Sequence, residues 1–384
     1  MIRTNVLTAT RNFNHRIESF KKEILFGHNN PMKIKHISYR VEFQGRGAAH
    51  IHGTLWLDTK KIEELIITKD NSKKVQPGDL SNAFLNLRHD TQLKNSEKVA
   101  IQRFTDMFIS CSLNPNTVHD DPEKGQKIVK IIQEVNRHHC TRKCKSYEGK
   151  CRYAFPRYPL KETLVIDKNA MKTKSAQEPA NDKHRKILNG VESILTDPEM
   201  VQFIMDQFAK GDTEEEYHSN TSKRIDLLLQ IAGDIKYEDY LLAIKGTKKF
   251  GSSVLLRRDV DEIWINNYNP EWALSWNANH DIQPCLDYFS VITYVTDYWA
   301  KSDDEVTQHL KEVAANLKSE KDQKRKCQEM AHRQMSECEA YYKIFPNLHL
   351  KYSSLDTVFI PTDKKELRSR FLKKIDDEDD NLKL

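Results

Sequence analysis

Over its 384 residues the chain has no Gly-rich phosphate loop of the GxxxxGK[ST] kind, no GxGxxG and no internal repeat. It therefore carries no recognisable ATPase of its own. No apolar run approaches the roughly 20 residues needed to span a bilayer. The first residues, MIRTNVLTATRNFNHRIESFKKEIL, are charged throughout and lack the apolar stretch of a secretory signal. No membrane association is expected from either feature. Neither sign of charge dominates: 61 Lys+Arg stand against 56 Asp+Glu, and the net charge of +5 permits a nucleic-acid partner without demanding one. An even set of spaced cysteines is also missing. There are seven, with three at 140, 144 and 151, a pattern that suits reduced thiols and a metal site better than a disulfide framework. The expected compartment is a reducing one. Hydrophobic residues make up 38%, enough for a core although the mean hydropathy is -0.72. The length suggests two or three modules, or one core with large insertions.

What is present begins with a hairpin. Phe13, Ile17, Phe20 and Ile24 recur at helical spacing, so about 8 to 26 reads as an amphipathic helix. The strand HISYRVEFQ follows, with Ile37, Tyr39, Val41 and Phe43 on one face and Ser38, Arg40, Glu42 and Gln44 on the other. After the loop GRGAA, the segment HIHGTLWL returns with Ile51, Leu55 and Leu57 toward the core, which leaves His50 and His52 on the polar face. Closure about Gly47 would set Gln44 across from His50 and Glu42 across from His52. Two imidazoles with a carboxylate or an amide oxygen supply three ligands for a divalent metal and leave positions open for substrate. An H-x-H pair alone is a weak signal; the facing Glu42 and Gln44 strengthen it.

The segment HHCTRKCKSYEGKC offers a second ligand set. His138, Cys140, Cys144 and Cys151 suit tetrahedral Zn²⁺, with His139 in place of His138, or Cys111 from a distance, as alternatives. Farther along, 85 to 135 is patterned as helix, 157 to 186 as a polar loop or insertion, and PEMVQFIMDQFA and SKRIDLLLQIAG as helices. In CLDYFSVITYVTDYWAK, Leu286, Phe289, Ile292, Val295 and Trp299 form a stripe at helical spacing. Tyr294 and Tyr298 share the opposite face, with Lys301 one turn on. Tyrosines four apart are commonly packing residues, so this pattern is weak on its own. A long charged helix is expected near 303 to 342.

Taken in order, VEFQGRGAAHIHGTLWL, HHCTRKCKSYEGKCRYAFPRYP, YNPEWALSWNANHDIQPC and ITYVTDYWAK resemble the Rep nuclease region of Helitron rolling-circle transposases, a branch of the HUH endonucleases. The tail EAYYKIFPNLHLKYSSLDTVFIPT is similar to the region after the tyrosines in that family. The resemblance implies an α+β fold: an HUH-type antiparallel sheet flanked by helices, with a small zinc-binding insertion and additional helical segments. The expected organisation is residues 1–110 as the first half of the nuclease core, 111–185 as the zinc insertion and polar loop, 186–302 as a helical segment with the tyrosine helix, and 303–384 as a charged helical extension.

The implied activity is nicking and transfer of single-stranded DNA at transposon ends, through a 5′-phosphotyrosine. Tyr294, Tyr298 and Lys301 would be the catalytic set, with Mg²⁺ or Mn²⁺ on His50, His52 and Glu42 or Gln44, and structural Zn²⁺ on the second cluster. Trp264, Trp272, Trp276 and Trp299 are candidates for base stacking. The implied location is the nucleus, or the cytoplasm for a viral or bacterial source. Relatives carry a helicase after this region; here one is expected in cis or in trans. Asp297 stands where many relatives have Lys, so a phosphate-binding Lys does not carry over at that position. Two other readings share most of these features: a viral or plasmid rolling-circle replication initiator, and a catalytically inactive, transposon-derived zinc DNA-binding protein.

Overall fold

The computed structural model describes residues 6–28, 30–43, 49–69, 74–89, 91–141, 144, 151–167, 182–247, 252–287, 291 and 350–352. The architecture is α+β, with many helices and two small antiparallel sheets among the described residues.

Helix α1 (Val6–Phe20) runs into a π-helical turn, Lys21–Leu25, as the spacing of Phe13, Ile17 and Phe20 predicts. Strands β1 (Ile34–Phe43) and β2 (Ala49–Leu57) form the expected hairpin. Odd-numbered β1 residues turn inward: Ile37, Tyr39 and Val41 are buried with Ile17 and Leu25 beneath α1. Burying side chains of this size contributes about 1.5–3 kcal/mol each. The even-numbered residues, including Glu42, His50 and His52, are thereby held on the other face. Strand β5 (Leu350–Tyr352) pairs antiparallel with the other edge of β1, so the order is β2-β1-β5.

Helices α2 (Thr59–Lys69), α3 (Asp79–Arg88), α4 (Asn95–Phe108), α5 (Pro115–Val118) and α6 (Pro122–Val135) come next in the chain. Their apolar faces make one core with Leu256, Ile265, Tyr268 and Ala273. A second core joins α7 (Asp182–Leu195), α8 (Pro198–Gln207), α9 (Glu214–Ile231) and α10 (Tyr237–Thr247) to Leu160, Val260 and Ile263. Where 157–186 was expected to be loop, Leu164–Ile166 is strand β3 and pairs with β4 (Ser253–Leu255). Its three residues, Leu-Val-Ile, form too short a run to stand out against the polar sequence around them.

Four helices start with the same device, an Asn or Asp cap followed by proline. Asn114, Asp121, Asp197 and Asn269 each accept a hydrogen bond from a backbone N–H of the first turn, and Pro115, Pro122, Pro198 and Pro270 take the position where no N–H is needed. The last of these opens α11 (Pro270–Trp276). Its Trp272 and Trp276 meet the Phe20 ring edge-on, with centroids 5.6 and 5.4 Å away. Two of the tryptophans expected to stack bases are thus packing residues between α11 and α1. Asn269 also donates to the Phe108 carbonyl at 2.8 Å, and Asn136 and His280 exchange hydrogen bonds of 2.8 and 2.9 Å, so the YNPEWALSWNANHD segment is clamped to α4 and α6.

Candidate metal centres

The hairpin pairing is centred one residue earlier in the chain than symmetry about Gly47 predicts. Glu42 lies across from His50, and Arg40, not Glu42, lies across from His52. Five residues, Gln44 to Ala48, link the paired ends Phe43 and Ala49. Moving the register by two residues keeps every side chain on its expected face, so the cluster survives the correction. Gln44 lies outside the described residues, and Glu42 is the acid found beside the histidines.

His50 Nε2 and His52 Nε2 are 3.0 Å apart, and a Glu42 carboxylate oxygen stands 3.1 Å from His52 Nε2 and 3.6 Å from His50 Nε2. Donor atoms sharing one ion at about 2.1 Å lie roughly 3.0–3.5 Å apart for right-angle to tetrahedral geometry. The three atoms therefore suit a common cation, and all three residues are partly exposed on an open face. Arg40, on the same face beside His52, adds a guanidinium of the kind that binds phosphate. His50 Nδ1 is buried and has no hydrogen-bond partner among the described residues.

The second cluster also assembles. The ligand atoms of His138, Cys140, Cys144 and Cys151 all lie within 4.8 Å of one another. Cys140 Sγ and Cys151 Sγ are 3.4 and 3.3 Å from His138 Nε2, near the roughly 3.5 Å that a tetrahedral Zn²⁺ imposes on nitrogen and sulfur ligands. This group could hold a metal such as zinc. Neither His139 nor Cys111 belongs to it: His138 is the ring that faces the thiols, and Cys111 is buried in the first core, where its Sγ donates to the Arg257 carbonyl.

The surroundings act differently on the members of this cluster. Burial, then the charges of His139 and Arg157, lowers the pKa of His138 and so favours the neutral ring that can ligate a metal. Burial, then the neighbouring Cys151 and Cys144, pushes the Cys140 thiol up to about 12. Burial also opposes ionisation of Cys144, but hydrogen bonds from Thr141, Cys140 and Cys151 outweigh it and leave that thiol below its ordinary value. A bound cation favours the thiolate form of all three.

The tyrosine set cannot be placed with the hairpin. Tyr294, Tyr298, Lys301 and Trp299 lie outside the described residues, as does the charged segment from 303 to 342. One helical hydrogen bond precedes them, from Val291 N–H to the Asp287 carbonyl at 3.0 Å. Trp264 stacks in parallel with Phe155 at 6.3 Å and belongs to the second core's margin, so it too is a packing residue.

Sequence reasoning passed over two exposed aromatics. Trp56 is 49% exposed on the strand face that carries His50 and His52, and Tyr153 is 50% exposed beside the cysteine cluster. Strand alternation could have found the first. The second emerges only once Cys151 is seen to fold back onto His138. No protein-family model, curated protein or solved structure matches this chain.

Proposed function

We propose that the chain is a metal-dependent nickase and strand transferase for single-stranded DNA, of the HUH type that the Helitron Rep region exemplifies. The observation that carries this reading is the convergence of His50, His52 and Glu42 on one exposed face of a strand pair whose other face is packed. Mg²⁺ or Mn²⁺ held there would polarise a scissile phosphate. The hydroxyl of Tyr294 or Tyr298 attacks phosphorus in line. The P–O3′ bond breaks, leaving a 5′-phosphotyrosine and a free 3′-OH. A 3′-OH returning to the phosphotyrosine re-forms a phosphodiester without ATP. Two tyrosines allow two strands to be held in turn. Arg40 would neutralise a phosphate oxygen next to the metal ligands.

Labelled single-stranded oligonucleotides incubated with the protein and Mn²⁺ should yield a covalent adduct on a denaturing gel. Tyr294 follows the apolar FSVI stretch and Tyr298 lies nearer KSDDE, so Tyr294 is assigned to the first nick. Tyr294→Phe removes the hydroxyl and keeps the ring, and should abolish the adduct, while Tyr298→Phe should leave a single cleavage detectable. The opposite result reverses the order, and an adduct in the double Phe variant excludes tyrosine chemistry.

A further inference from the structure

The cysteine cluster does more than close a loop. His138 stacks on Phe155 with centroids 4.4 Å apart and 9° between planes, and it meets Tyr153 at 5.7 Å and 70°. Ala154, between those two rings, takes φ 57°, a left-handed conformation that lets both neighbours reach the same imidazole. Phe155 is covered by the Arg157 guanidinium at 4.8 Å and continues toward Trp264. Tyr153 lies at the outer end. It is half exposed, and the exposed Arg152 guanidinium sits 4.7 Å from its ring and donates to its hydroxyl. A single exposed tyrosine is ordinary on a protein surface. One braced by a metal-ligand histidine and paired with an arginine is a fixed aromatic plane with a cation attached. Between Arg137 and Arg157 the sequence carries seven Lys or Arg and a single acid, Glu148.

We propose that this turn is a second contact for single-stranded DNA, with Tyr153 stacking a base and Arg152 binding the adjoining phosphate. It rests on the reading that the chain acts on single-stranded DNA, and extends that reading to a site built by the zinc ligands instead of the hairpin. The charge excess selects a polyanion, and the exposed ring selects unpaired bases over the stacked interior of a duplex. Because Cys151 directly precedes Arg152, ligation at one residue orients the next. The surface is thus formed only when the cluster is closed.

The test is fluorescence anisotropy of the full chain, purified with its zinc, on a mixed-sequence 30-nucleotide DNA, with duplex DNA and RNA of the same sequence as further probes. Tyr153→Ala should weaken single-strand binding about 5- to 150-fold, the range for loss of one stacked base. Tyr153→Trp should restore it, and Arg152→Gln should flatten the salt dependence. Zinc content and thermal midpoint report that each variant folds. Unchanged binding by a zinc-replete Tyr153→Ala protein overturns the proposal, as does equal or tighter binding of duplex or RNA. Adduct formation with Mn²⁺, measured in parallel, separates the two readings. Adducts together with Tyr153-independent binding would sink the second contact alone, whereas Tyr153-dependent binding without adducts would sink the nickase alone.

Discussion

At the residue scale the sharpest dependence is on Glu42. Its carboxylate is the one acidic member of the hairpin group, and it faces two imidazole nitrogens. Glu42→Gln keeps the size and one oxygen but removes the charge, so Mn²⁺ affinity measured by calorimetry should fall at least about tenfold, since a hard cation is held chiefly by the carboxylate. Equal affinity in the variant would remove Glu42 from the ligand set. A different carboxylate governs stability. Glu262 is buried, and burial, then the charges of Asp261 and Asp259, raises its pKa from 4.5 to about 6. It accepts from Leu113 N–H at 2.6 Å, the Tyr217 hydroxyl at 2.6 Å and Asp259 N–H at 2.9 Å. A raised folded value means that the native state binds the extra proton. The associated stability is complete below pH 4.5 and is lost as pH rises through about 6, at most about 2 kcal/mol. Thermal midpoints of wild type minus Glu262→Gln should therefore fall between pH 4.5 and 6.5; a flat difference would show that Glu262 titrates alike in both states.

At the element scale the hairpin shows what could be read from the sequence and what could not. Alternation of apolar and polar residues set the faces of β1 and β2, because a period of two leaves no other way to bury Ile37, Tyr39 and Val41 together. The register could not be read, because it depends on which residues the turn takes up: GRGAA and the linking residues Gln44 to Ala48 are equally long and differ by one step along the chain. Part of that register is fixed by Gly53, which pairs with Tyr39. A Cβ there would sit 2.8 Å from the Ser38 carbonyl oxygen and 2.8 Å from Tyr39 Cβ. Gly53→Ala must therefore push the strands apart next to His52, costing about 1–3 kcal/mol and weakening metal binding with it. Chemical denaturation and metal titration of the same variant check both; unaltered values would mean that the pairing has slack. The helix starts after Asn-Pro and Asp-Pro were equally open to reading, since cap and proline act locally. The burial of Arg224, Asp259 and Glu262 was not: the charges of RRDVDE look like a solvated stretch until the partners on α9 are known.

At the scale of the whole molecule, the segment from Arg258 to Tyr268 joins the parts. Val260 and Ile263 belong to the core of α7 to α10, while Ile265 and Tyr268 belong to the core of α2 to α6. Between them Trp264 turns to the cysteine cluster, where its carbonyl accepts from His138 N–H at 2.7 Å and its ring stacks in parallel with Phe155. Asp259 anchors this segment to α9 through the buried Arg224, at 3.0 and 3.1 Å from Nε. Arg224 also donates to the carbonyls of Phe208 and Ala209, so Asp259→Ala would leave a buried guanidinium without its counter-charge and should cost about 3–5 kcal/mol. The same segment predicts how the protein responds when a metal held by the cluster, zinc in the proposed reading, is removed. Were the cluster an isolated knob, stripping the metal would melt it locally and leave the main transition in place. With Trp264 shared, opening the cluster loosens the strap between both helical cores. Chelation should therefore lower the main thermal transition, followed by circular dichroism at a helical wavelength, and shift tryptophan fluorescence over the same range of chelator. Re-addition of Zn²⁺ should restore both signals, and Cys144→Ser should reproduce the loss without chelator. A helical transition that ignores the chelator while zinc leaves the protein would show that the strap holds without its metal.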